Sequence, residues 1–341
     1  MGKFKWAIVS TGYIAHRFVQ GARLLPQADI VAVSSRTMES AKKFADEYGI
    51  AGRYDDYGKM LAEAKPDIVY VATPNIVHYA YVMQALERGI HVLCEKPMAD
   101  NLTQMNEMYA KAAEADLFLM EGMWTRCFPA VRKAIDWIRS GKIGRVNHVR
   151  SEFSFKPEDG HWQPWKAEAA LGGGAIRDLG IYTLSMAFLG IPEEPLSITS
   201  TCVPYRGADL HSEFFLEFAD NRTAFLRNGM DTMAGLETVI CGDEGQIKIG
   251  RVFFCPDRAI LYRNEEGGGF GYVEQEVFDE PYEATGFQYE AQHVMDRISA
   301  GETTSDWFPP MESRKICRIT DEFRRKWGIR YTTDPEGWWT D

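Results

Sequence analysis

The chain has 341 residues, 45% of them hydrophobic and 26% charged, with 38 basic against 49 acidic side chains and a net charge of −11. At roughly 150 residues per domain this length suggests two domains, and the ordinary apolar content excludes collagen, coiled coil and long disorder. A negative long-range field argues against nucleic-acid and anionic-membrane partners, yet leaves room for a small anion held by local groups.

No run approaches the ~18 uninterrupted apolar residues of a spanning helix. The opening MGKFKWAIVSTG has no long apolar stretch or small-residue cleavage site, so a cytoplasmic location is expected. The cysteines at 94, 127, 202, 241, 255 and 317 are scattered, without C-x-x-C or paired-His spacing. They read as reduced core thiols, and no metal site is expected.

In chain order, short β-rich runs alternate with helical patterns over roughly the first 120 residues, the signature of a parallel doubly wound sheet. Strands are expected at Lys5–Val9, Asp29–Ser34, Arg53–Tyr54, Ile68–Ala72, Ile90–Cys94 and Leu117–Met120, with helices near 14–25, 76–88 and 102–115. After Glu121 the rhythm changes. A helix near 129–140 and a long strand at 144–155 precede a glycine-rich loop and a helix near 175–189. Successive β stretches fill 196–278, and helices near 285–299 and 310–327 close the chain. Consecutive strands indicate an α+β domain with a mostly antiparallel, open-faced sheet. The expected division is therefore a Rossmann α/β domain at 1–122 and an α+β domain at 123–341.

Between the first strand and first helix stands Ser10-Thr11-Gly12-Tyr13-Ile14-Ala15, where a G-x-G-x-x-G/A dinucleotide turn belongs. Gly12 fills the second glycine, whose missing Cβ lets backbone amides approach a pyrophosphate, and Ala15 fills the third. Ser10 replaces the first glycine and brings a hydroxyl that could donate to phosphate. Alone, the turn suits an ordinary strand–turn–helix corner equally well. About 20 residues on, where NAD binders carry Asp or Glu, stand Ser35-Arg36-Thr37. An Arg without a neighbouring acid favours the 2′-phosphate of NADP over NAD; the alternative is a solvated surface arginine.

Two further segments follow strands at the same sheet edge: Thr73-Pro74-Asn75 with His78, and Glu95-Lys96-Pro97. A lysine off a strand end and before proline cannot continue a helix, so its ammonium can face a ligand. In the second domain Gly172-Gly173-Gly174 opens a helix carrying Asp178 and Tyr182, four apart and so on one helical face. Read by spacing alone, Tyr182 is better explained as a helix tyrosine packed on a sheet.

Together, E-K-P and G-G-G-x-x-x-D-x-G-x-Y resemble the Gfo/Idh/MocA family of NAD(P)-dependent oxidoreductases over essentially the whole chain. Tyr182 and Met123–Pro129 are most similar to the branch holding dimeric dihydrodiol dehydrogenase and NADP-linked xylose dehydrogenase. The resemblance implies Tyr182 as acid/base, Lys96 as its assistant and Asp178 as an orienting group. It implies a cofactor, NADP preferred and NAD possible, held by Ser10, Thr11, Gly12, Tyr13, Ile14, Ser35, Arg36, Thr37, Thr73, Pro74, Asn75, His78, Glu95 and Lys96. Trp165 and Lys166, on the loop before the glycines, are further candidates to reach it. Trp124 and Phe155 are assigned to the substrate pocket. The expected substrate is a sugar, cyclic polyol or trans-dihydrodiol, and the expected assembly is a homodimer through the second sheet. A dinucleotide-sensing regulator and an NAD-dependent glycosidase remain the alternatives on this scaffold.

Overall fold

Trp6–Val9 are buried almost completely and form most of β1 (Phe4–Val9), the strand from which the first sheet grows. The chain continues through α1 (Tyr13–Ala22), β2 (Ala28–Ser34), α2 (Met38–Tyr48), β3 (Gly52–Tyr54), α3 (Tyr57–Ala64) and β4 (Ile68–Val71). It then forms α4 (His78–Leu86), β5 (His91–Glu95), α5 (Leu102–Glu114) and β6 (Leu119–Gly122). The structure is a computed structural model describing residues 2–156, 168–265 and 271–338.

These six strands are all parallel, in the order β3-β2-β1-β4-β5-β6. That is the doubly wound order, whose direction of winding reverses between β1 and β4. All four residues of β4 are buried, as a strand covered on both faces requires. At the reversal Val9 pairs with Val71, so Ser10–Ile14 and Thr73–His78 leave the sheet at one edge.

Beyond β6 the chain makes a 3₁₀ turn at Trp124–Cys127, then α6 (Pro129–Arg139) and β7 (Val146–Ser154). A π-helical turn at Ile176–Gly180 runs into α7 (Ile181–Gly190). Next come β8 (Ser197–Tyr205), β9 (Ala208–Glu217), β10 (Thr223–Gly229), β11 (Thr238–Gly242), β12 (Gly245–Ile249), β13 (Arg258–Asn264) and β14 (Tyr272–Asp279). The last helices are α8 (Phe287–Ser299) and α9 (Pro310–Trp327). The second sheet has the order β14-β13-β12-β11-β7-β10-β9-β8. Among the described residues, only β7 and β10 run parallel in it. α7, with nine of its ten residues buried, packs on β7, β10 and β11. Phe215 and Phe225, directly opposite each other on β9 and β10, are each 40% exposed. The two sheets are those expected.

By packing, the chain forms two units, Met1–Trp124 with Tyr282–Cys317, and Thr125–Pro281 with Arg318–Asp341. The first division falls two residues from the expected 122/123 boundary, but the units are not continuous in sequence. Tyr282–Cys317 belongs with the first sheet because α8 packs closely on α1. A Cβ on Gly21 would come within 2.8 Å of the Gln288 nitrogen and Thr285 Oγ1, so only glycine permits that approach. Two elements differ from the periodicity. α3 is not among the expected helices; the Asp56 carboxylate caps it by accepting from the Lys59 N–H at 2.7 Å. The helix carrying Asp178 begins as a π turn, so the angle between Asp178 and Tyr182 is not that of an unbroken α-helix.

Candidate active site

Ser10 has φ +105°, a backbone region that favours glycine. This serine thus holds the conformation that the first glycine of a dinucleotide turn supplies. Its Oγ accepts from the Gly12 N–H at 3.1 Å, and its own N–H donates to the Ser34 carbonyl at 2.9 Å. Gly12 begins α1 without a side-chain cap, whereas α2, α3 and α5 are capped by Thr37, Asp56 and Asn101. An uncapped helix start with an open glycine suits a pyrophosphate. A Cβ on Gly12 would meet only Ser10 Oγ, at 3.4 Å. Tyr13 is exposed and Ile14 half-buried beside it.

Thr11 and Ser35 hydroxyls lie 3.1 Å apart, joining this turn to the end of β2. Arg36 is exposed at that end. Thr37 is used locally: its hydroxyl accepts from the Ser40 N–H and donates to Ser40 Oγ. That accounts for both of its obvious bonding directions without a ligand.

His78 is 1% exposed. Its Nδ1 lies 3.0 Å from the Pro97 carbonyl and its Nε2 2.8 Å from the Thr73 carbonyl. Carbonyls only accept, so both bonds form together when the ring bears a proton on each nitrogen. His78 thereby staples the Thr73-Pro74-Asn75 segment to the Glu95-Lys96-Pro97 segment, and Asn75 is buried alongside. Glu95 is also turned inward: it accepts from the Tyr70 hydroxyl at 2.5 Å and from the Lys96 N–H at 3.2 Å. Burial pushes its carboxyl up to about 7, against the lowering pull of the Tyr70 bond and of Lys96. For His78 and Glu95, expected at the cofactor, the structure gives inward bonds that fix the loops, and for Thr37 a local cap of α2. Lys96 is half-buried at the strand end, before a cis peptide bond to Pro97.

In the second unit the glycines have separate tasks. Gly172 takes φ +76° after a short turn at Ala169–Leu171, and Gly174 takes φ +134°. A Cβ on Gly174 would come within 2.5 Å of Asp209 Oδ1. Asp209, 1% exposed, accepts from the Ile176 N–H at 2.8 Å and from Ser212 Oγ at 3.1 Å. Burial raises its carboxyl to about 6. Asp209 therefore anchors the start of the π turn that carries Asp178. At the other end, Gly180 admits Asn228, whose Oδ1 accepts from Thr183 Oγ1 at 2.7 Å.

Tyr182 is 7% exposed among aromatic rings, 5.5 Å from Phe153 and 5.9 Å from Phe254. Phe153 stacks on Phe254 at 4.3 Å, and Phe155 lies just past the end of β7, 6.1 Å from Phe153. Arg126 fixes α7 by donating from Nε and Nη2 to the Ser185 hydroxyl and carbonyl, at 2.8 and 2.6 Å. Trp124 belongs to the first unit, where it stacks on Phe287 at 4.4 Å. Trp165 and Lys166 lie outside the described residues. Sequence reasoning missed Asp209 and Asn228, brought to the site by the pairing of β9 and β10, and Phe254, on the turn between β12 and β13.

Residues 4–123 match the profile of an oxidoreductase family with an NAD-binding Rossmann fold, and residues 131–248 match the GFO/IDH/MocA C-terminal domain. Trans-1,2-dihydrobenzene-1,2-diol dehydrogenase of Xenopus laevis is 33% identical, covering 96% of this chain and 99% of the frog protein. The human protein of the same name is 29% identical, over 97% and 98%. A crystal structure of aldose-aldose oxidoreductase from Caulobacter crescentus, complexed with glycerol, superposes with a TM-score of 0.81. It is 26% identical and covers 95% of this chain and 97% of that one. Matched in both domains and along nearly its full length, the chain belongs to the Gfo/Idh/MocA family of oxidoreductases.

Proposed function

We propose that the chain is an NADP-preferring dehydrogenase acting on a secondary alcohol or the corresponding carbonyl of a sugar, cyclic polyol or trans-dihydrodiol, with Tyr182 as acid/base. The observation that carries this reading is the support built around Tyr182: an anchored π turn before it, Arg126 on the next turn after it, and aromatic rings around the phenol. An acid/base group must be held in one orientation to move a proton to or from a substrate oxygen. Relatives named as diol dehydrogenases, and a structural neighbour named as an aldose oxidoreductase, support the substrate class.

Residues Ser10–Ile14 would hold the pyrophosphate of the dinucleotide, and Arg36 with Ser35 the adenosine end. Bound there, the nicotinamide supplies a hydride acceptor in oxidation and a hydride donor in reduction. Tyr182 takes the hydroxyl proton as the alcohol is oxidised and returns it on reduction. A free phenol titrates near 10 and is a weak base at neutral pH. The Lys96 ammonium acting on it would favour the phenolate, and Asp178 would orient the substrate hydroxyl or Lys96. Trp124 and Phe155 are proposed to shape the pocket. The exposed Phe215–Phe225 face of the second sheet is proposed as the surface of a homodimer.

NADPH fluorescence recorded across aldoses, inositols, sugar phosphates and dihydrodiols, with both cofactors, tests this reading. Turnover of one of these classes with NADP favoured is the expected outcome. A clear NAD preference would remove the role given to Arg36. Tight dinucleotide binding without turnover of any alcohol would favour a sensor.

A further inference from the structure

Past α9 the chain returns to the glycine loop of its own unit. Tyr331, 5% exposed, donates from its hydroxyl to the Gly173 carbonyl at 3.0 Å, across 158 positions of sequence. The Arg177 guanidinium lies over its ring, 5.1 Å from the centre. Ile329 and Tyr331 also pack with Ala169 and Ala208 in a small apolar cluster. A buried tyrosine needs an apolar nest and one acceptor. Tyr331 takes its acceptor from the residue before Gly174–Ile176 and lays its ring against the residue after.

The segment that carries Tyr331 is itself fixed by a buried ion cluster. Arg324, on α9, is 0% exposed. Its Nη1 donates to both Asp334 oxygens, at 3.0 and 3.1 Å, and its Nη2 to Asp334 Oδ1 and Asp321 Oδ1, at 3.0 and 3.1 Å. Asp334 accepts in turn from the Tyr331 N–H at 2.8 Å. The same guanidinium lies 4.0 Å from the centre of the Tyr331 ring and 4.5 Å from that of Trp338. Segments outside helices and sheets are ordinarily the most easily moved part of a unit. Here a bidentate ion pair, a backbone bond and two ring faces remove that freedom.

Three consecutive glycines make 172–174 the most pliant backbone before Asp178, so its course must be set by outside contacts. Asp209 supplies one, through the Ile176 N–H and against Gly174. The Gly174 carbonyl accepts from the Asp178 N–H at 3.0 Å. A loop tied at one point can still pivot about it; ties at Gly173 and Arg177 take that pivot away. We infer that Tyr331 is a positioning residue for the reaction at Tyr182. Bonded to Gly173 and stacked against Arg177, it fixes the loop that sets Asp178 and, through the π turn, the phenol of Tyr182. This rests on the roles given above to Asp178 and Tyr182. Tyr331 acts through the loop and not on the reacting atoms, where small misplacements are costly.

The test compares Tyr331→Phe and Tyr331→Leu with the parent in the full chain. Phenylalanine keeps the ring against Arg177 and Arg324 and loses only the bond to Gly173; leucine loses both. Amide hydrogen exchange over 172–182 should be about tenfold faster in Tyr331→Phe and faster still in Tyr331→Leu. Exchange in α8, which belongs to the other unit, should match the parent. With NADP and the best substrate of the screen, kcat should fall about threefold in the first variant and about thirtyfold in the second. KM for NADP should be unchanged in both. Parent-like exchange over 172–182 would overturn the proposal, as would exchange raised equally throughout the unit, or local loosening with kcat unaltered. Exchange needs no turnover, so it separates failure of this tie from failure of the proposed reaction.

Discussion

Gly174 and Asp209 fit together with no room for a side chain between them: a Cβ on Gly174 would come within 2.5 Å of Asp209 Oδ1. Gly174→Ala is therefore strained twice, by this clash and by its φ of +134°. A loss of about 2 kcal/mol is expected in urea unfolding. Because Asp209 also anchors the π turn through Ile176, kcat should fall by more than KM changes. Unaltered kcat in Gly174→Ala would separate the glycine loop from Tyr182.

Ser10 carries backbone strain that a glycine would not. Ser10→Gly should leave dinucleotide affinity intact or improved, and should raise stability by up to about 1 kcal/mol. Ser10→Ala keeps the φ of +105° and loses the bond to the Gly12 N–H, so it should be less stable than either. Thermal melts with and without NADP check both variants. A Ser10→Gly chain that no longer binds would make the hydroxyl, not the turn, the binding element.

The buried acids give a pH dependence whose sign follows from their raised titration. Burial, and then the Glu95 charge, raise the Glu290 carboxyl on α8 well above its ordinary value of 4.5, so the folded chain is expected to hold this proton to higher pH than the unfolded chain. Between those values the folded state binds more protons, so its contribution to stability declines as pH rises. Glu290→Gln abolishes that decline. Its stability relative to the parent should rise from pH 5 to pH 8, with a limiting slope of about 1.4 kcal/mol per pH unit. Urea midpoints at the two pH values measure this. A constant difference would mean that Glu290 is ionised in the folded chain.

Much of the architecture was legible before any coordinates. The continuous apolar run Ile68–Val71 announces a strand buried on both faces, and Pro129 at the start of α6 marks its first turn. Lys96, Asp178 and Tyr182 stand in motifs of contiguous residues, so a family resemblance is enough to nominate them. The groups holding them stand in no such motif. Asp209 meets Ile176 across 33 positions, and α8, late in the chain, packs on α1 near its start. Such partners depend on register and helix packing, which no local pattern encodes. The discontinuous first unit was hidden for the same reason. His78 was visible as a residue but not in its role, since the Pro97 carbonyl that it bonds lies 19 residues away.

The His78 staple makes its own prediction. His78→Phe fills the buried space but loses both bonds, leaving the Thr73 and Pro97 carbonyls with one partner fewer. A cost of about 2 to 3 kcal/mol is expected for the two bonds together. Because the staple ties the Lys96 segment to the Thr73 segment, kcat should fall at least tenfold. A variant destabilised to this extent but retaining full kcat would make His78 structural only.

The proton transfer assigned to Tyr182 is tested most directly by turnover of Tyr182→Phe with NADP and the best substrate of the screen, alongside cofactor affinity from NADPH fluorescence. The phenylalanine keeps the contacts with Phe153 and Phe254 and removes only the hydroxyl. Cofactor affinity should be unchanged while kcat falls by about 10² to 10⁴, the usual worth of a positioned acid/base. Unchanged kcat in a folded, cofactor-binding Tyr182→Phe chain would contradict the account.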